Sequence, residues 1–63
     1  MRYHLYKATR LYEGRPYSGP ANRGQPAQAD SLPAALILRD QLCKINPVGW
    51  RIRDTLADQD IVD

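Results

Sequence analysis

The sequence predicts a small α+β fold: an antiparallel sheet with one central helix packed on one face. Three stretches carry the prediction. Residues 30–46 hold a capped amphipathic repeat, residues 48–53 alternate apolar and basic side chains, and residues 2–12 are rich in Tyr, Leu, Thr and Arg. The first has the period of a helix, the second the two-residue period of a strand, and the third a composition that strands favour. Sixty-three residues make one domain at most, spanning 1–63. A chain this short buries only about 60% of its unfolded surface.

In the first strand, Tyr3, Leu5, Lys7, Thr9 and Leu11 fall on one face and His4, Tyr6, Ala8, Arg10 and Tyr12 on the other. Apolar bulk on both faces implies either cover on both sides or a bulge near Lys7 that switches the inward face. Glu13-Gly14 signals a turn, because glycine takes the positive φ of a tight hairpin. Arg15–Ser18 then return as a second strand. Pro16 has no N–H to donate, which assigns that strand to a sheet edge. From Gly19 to Asp30 the chain has no large apolar side chain, and two glycines and two prolines punctuate it. With so little to bury, 19–30 is expected to be a flexible surface loop; a loop that orders on a partner is the sharper alternative.

Asp30 and Ser31 offer N-cap oxygens, and Pro33 stands in the first turn, where proline is tolerated. On a wheel of ~100° per residue, Ser31, Leu38, Leu42 and Ile45 gather around Ala35. Leu32, Leu36 and Cys43 flank them on one side and Ala34 on the other. So wide an apolar arc suits packing on a sheet. The opposite face holds Pro33, Asp40, Gln41 and Lys44, and also Ile37, an apolar residue among polar ones. Asn46-Pro47 ends the helix, since the residue before proline avoids the α region. Val48, Trp50 and Ile52 then alternate with Gly49, Arg51 and Arg53, apolar inward and arginine outward, with Trp50 expected against Leu38 and Leu42. Leu56–Gln59 reads as a turn and Ile61-Val62 as a short closing strand. The order is ββαββ, or βαββ without the early return strand: a β-hairpin, one helix and a C-terminal β-hairpin.

Composition narrows the functional classes. The single Cys43 rules out an internal disulfide, and one cysteine with one histidine falls short of a four-ligand zinc site. No metal or cofactor is expected. A lone thiol suits a reducing compartment, so a cytoplasmic protein is expected. The first residues lack a signal-peptide apolar run, and no stretch approaches the ~20 apolar residues of a membrane span. The net charge of +2 is too mild to demand nucleic acid and too positive for an acidic DNA mimic.

Catalysis needs a constellation, and none is visible. Cys43 flanks the apolar arc of its helix and reads as a half-buried small hydrophobe. His4 stands alone in a strand. Asp54, Asp58, Asp60 and Asp63 lack the glycine-centred spacing of a calcium loop and read as solvated turn and tail charges, and the glycines follow no phosphate-binding pattern. The basic and aromatic set is more informative. Arg51 and Arg53 share the outer face of their strand if Trp50 and Ile52 face the helix. His4, Tyr6 and Arg10, or alternatively Tyr3, Lys7 and Thr9, extend that face if the first strand is its neighbour. Tyr, Trp and Arg are enriched at protein interfaces, and arginines among tyrosines also bind phosphates and stack bases.

The expected function is therefore a non-enzymatic binding protein acting through protein–protein interaction. Its partner-binding residues are Arg51, Arg53, Arg10, Tyr6 and Ile37, with a homodimer expected through the Ile37 face of the helix. The alternative is a nucleic-acid-binding sheet module whose backbone contacts come from Arg51, Arg53 and Arg10. The hairpin–helix order is similar to that of integrase arm-binding and double-stranded-RNA-binding modules, without their basic loops and signature residues. In size and class the chain resembles small phage or mobile-element inhibitors of host defence machines, anti-CRISPR proteins among them.

Overall fold

The computed structural model describes residues 1–62. It contains four strands and one helix: β1 (Tyr3–Lys7), β2 (Gln28–Ala29), α1 (Leu32–Ile45), β3 (Trp50–Asp54) and β4 (Gln59–Asp60), with a 3₁₀ turn at Pro20–Asn22. The sheet is antiparallel throughout, in the order β2-β1-β3-β4. The helix packs against β1, β2 and β3. This is the α+β architecture that the periodicities predict.

The helix begins where its cap lies: the Ser31 hydroxyl accepts from the Ala34 N–H at 3.4 Å, with proline in the first turn. It ends at Asn46, whose backbone is extended and whose N–H donates to the Leu42 carbonyl. Ala35 and Leu42 are buried, and Leu32, Leu36 and Leu38 pack against the core from its margin. Under them lie Leu5 and Ile52, paired across β1 and β3 and closed to solvent. Trp50 is buried in this cluster, as the alternation predicts, and Leu36, Arg39 and Cys43 line a shallow recess with it on the helix side. It is held further by the edge of Tyr17 at 4.8 Å and by its own Nε1–H, which donates to the Asn46 carbonyl at 2.9 Å. The buried arc of the helix is narrower than the apolar one. Ile45 is 66% exposed and Cys43 is exposed rather than half-buried.

Four strand assignments are corrected. The first strand stops at Lys7 rather than Tyr12, because Arg10 N–H turns back to the Lys7 carbonyl at 3.1 Å. Val48 is exposed too, since its N–H closes a tight turn onto the Asn46 carbonyl and the alternation starts only at Trp50. Gly49 joins these two corrections: at φ +80° it adopts a conformation other residues rarely take, and its carbonyl accepts from the Ala8 N–H. The closing strand is Gln59–Asp60, not Ile61-Val62. Asp54 starts the turn early, its Oδ1 accepting from the N–H groups of Leu56 and Ala57 at 3.1 and 3.3 Å.

The fourth correction concerns 15–30. Arg15–Ser18 form no strand, although Ser18 makes an isolated bridge to Pro26. The partner of β1 is β2, inside the segment expected to be a flexible loop. That segment also buries Ala21, Ala27 and Ala29. Three backbone bonds stitch it down: Leu5 N–H donates to the Ala27 carbonyl, Tyr17 N–H to the Leu5 carbonyl, and Ala27 N–H to the Tyr17 carbonyl, each at 2.7–2.8 Å. Alanines serve where backbones approach closely. Gly19 serves the same end, since a Cβ there would meet the Tyr17 hydroxyl at 2.5 Å.

Candidate partner-binding face

The sheet face away from the helix is built by register. Tyr6 stands opposite Arg51, and His4 stands opposite both Arg53 and Gln28. Asp60 on β4 stands opposite Arg53. Because Leu5 and Ile52 point into the core, alternation sends these residues to the other side. Tyr12 returns over the face from the loop after β1. Its hydroxyl lies 2.7 Å from His4 Nδ1, its ring centroid 5.5 Å from that of Tyr6, and the Arg53 guanidinium 5.4 Å from its centre.

The charges on this face are unevenly balanced. Arg53 Nη2 donates at 2.8 Å to both the Asp58 carbonyl and its carboxylate, and Nη1 reaches Asp60 at 3.4 Å. Asp58 presents both groups because it sits at φ +54°, a left-handed turn position that Asp tolerates better than most residues. Asp60 also accepts from the Tyr6 hydroxyl at 2.7 Å. Desolvation, then this hydrogen bond, holds the Tyr6 hydroxyl above its ordinary range, while the Asp58 hydrogen bond raises the Arg53 guanidinium further. Arg53 Nε is buried without a hydrogen-bond partner among the described residues; the Tyr12 ring offsets part of that cost. Desolvation and then the N-terminal ammonium lower His4 from its ordinary value, favouring the neutral ring. Arg51 differs. It is exposed and makes no ion pair among the described residues.

Of the five residues expected to bind a partner, Tyr6, Arg51 and Arg53 share this face. Arg10 does not: the strand ends before it, and it lies in the following turn, at a cleft it lines with Tyr6. Ile37 is 62% exposed on the far side of the helix, beside the exposed Asp40–Lys44 pair at 3.4 Å. Tyr12, Asp58 and Asp60 were missed as members. Tyr12 was legible as aromatic bulk sharing a side with His4 and Tyr6, but its arrival by a loop rather than a strand was not. The carboxylates were legible only as turn charges, since no local spacing ties Asp60 to Tyr6. Among the described residues, no group of three or more His, Cys, Asp or Glu side chains is gathered as for a metal ion, and no helix is long and apolar enough to cross a membrane.

No family model, curated protein or solved structure matches the chain.

Proposed function

We propose that the protein is a non-enzymatic binding protein that occupies the surface of a protein partner with the outer face of its sheet. One observation carries the reading. Asp60 holds Tyr6 and Arg53, Asp58 holds Arg53, and Tyr12 packs on both of them from its bond to His4, with Arg51 exposed beside them. Fixed tyrosines lose little entropy on docking, and they are the side chains that dominate interface energetics. A phosphate-binding face would keep its arginines unpaired, and here Arg53, one of the three expected to hold a nucleic-acid backbone, is already neutralised by two carboxylates. Inhibition of a host defence machine, suggested by size and class, is one form such occupation takes.

Affinity capture from the source cells tests this. The wild type should retain a discrete protein after nuclease treatment. Capture that vanishes with nuclease would instead support the nucleic-acid module.

A further inference from the structure

At the end of the sheet where β1 stops, the chain from Lys7 to Ser18 encloses an open cleft of about 340 Å³. Lys7, Arg10 and Arg15 line it together with Tyr6, Tyr17 and a single carboxylate, Glu13. None of the three cations makes an ion pair among the described residues. Lys7 alone has a partner of another kind, its ammonium standing 5.3 Å from the centre of the Tyr17 ring. Elsewhere Arg2 is paired with Asp54, Lys44 with Asp40, and Arg53 with Asp58 and Asp60. Four of the nine basic side chains, Lys7, Arg10, Arg15 and Arg51, are thus gathered at this end, Arg51 standing across from Tyr6 on the adjoining face.

We infer that this cleft is an anion-binding site that seats an acidic segment of the partner protein, the carboxylates of consecutive Asp or Glu side chains meeting Lys7, Arg10 and Arg15. The inference rests on the protein-partner reading and names the chemistry of the docking segment. One feature selects a short acidic segment over a nucleic-acid strand. The positive region is compact, ending on the sheet face where Asp58 and Asp60 begin, so it offers no track for a repeating phosphate backbone. A concave, partly aromatic wall with convergent polar groups is the usual form of a specific binding site. Charge complementarity of this kind contributes mainly to association rate and selectivity, so the contact should weaken as salt rises.

The test is an amide-resolved NMR titration of the whole chain with a short peptide of alternating Asp and Glu, alongside a short oligothymidylate. The peptide should produce saturable shifts confined to residues 7–18 and Arg51. The double variant Arg10→Glu, Arg15→Glu should weaken it by roughly tenfold or more, as expected for reversed charges in a complementary contact. Both side chains are exposed, so the variant should keep the dispersed spectrum of a folded protein. If it does not, Arg10→Gln with Arg15→Gln serves in its place. Absence of saturable shifts with the peptide, or equal affinity in the folded variant, would overturn the inference. So would tighter binding of the oligothymidylate to the same amides. A failed titration beside a successful nuclease-resistant capture would remove only the acidic segment. A seated peptide with no protein captured would remove the wider reading and keep the anion site.

Discussion

Asp54 shows how a buried charge is made tolerable in so small a core. It is 5% exposed, and every hydrogen bond it makes favours the ionised form. Arg2 donates to both oxygens at 3.0 and 2.9 Å, and the Leu56 and Ala57 N–H groups meet Oδ1. The Arg2 hydrogen bonds are the largest cause of a carboxyl held below its ordinary value of 3.8, against an opposing desolvation. A carboxyl depressed in the folded state binds its proton more readily when unfolded. Its stabilisation is therefore fully present above the unfolded value and is lost as pH falls through the folded one. Asp54→Ala should lower the thermal midpoint at pH 7 by several degrees and should flatten the acid limb of midpoint against pH below about pH 4. Thermal melts across that range check it. The sequence reading of Asp54 as a solvated turn charge is corrected: it does bind the turn's N–H groups, but it is buried. Its pairing with Arg2, fifty-two residues away, leaves no local trace.

At the scale of elements, legibility followed side-chain size. The helix and β3 announce themselves because Leu42, Trp50 and Ile52 are large and periodic, and their burial matches the period. The 19–30 segment does not, because what it buries is alanine: Ala21, Ala27 and Ala29. Small side chains give weak periodic signals, yet they let β2 lie against β1 and under the helix. Ala27 is fully closed to solvent, so Ala27→Leu should overpack it and cost about 1–3 kcal/mol. Denaturant melts measure this; an unchanged midpoint would return the segment to the status of a loose loop. The helix makes a separate prediction on its outer side. Ile37 is 62% exposed beside the Asp40–Lys44 pair, and across a two-fold axis such a patch can meet its own copy. Sedimentation at micromolar concentration should show a wild-type dimer and an Ile37→Lys monomer with unchanged circular dichroism. Two monomers would leave Ile37 idle or assign it to a different partner.

For the molecule as a whole, the sequence foretold two surfaces and the fold separates them. The helix covers one side of the sheet, so Ile37 and the tyrosine–arginine face point in opposite directions, and contacts through one leave the other accessible. The outer face was legible as a pair of arginines opposite a tyrosine strand. Its polarity was not, because the neutral end depends on Asp58 and Asp60 reaching Arg53, and the positive end on a loop that brings Arg10 and Arg15 beside Lys7. The central claim is that this face, and not the helix, engages the partner. Arg51→Glu decides it most directly, because Arg51 is exposed and unpaired among the described residues, so its reversal should change stability by no more than about 0.5 kcal/mol. Affinity for the captured partner should fall roughly tenfold or more in Arg51→Glu and stay at the wild-type level in Ile37→Lys. Full affinity in a folded Arg51→Glu, with loss in Ile37→Lys, would contradict the account.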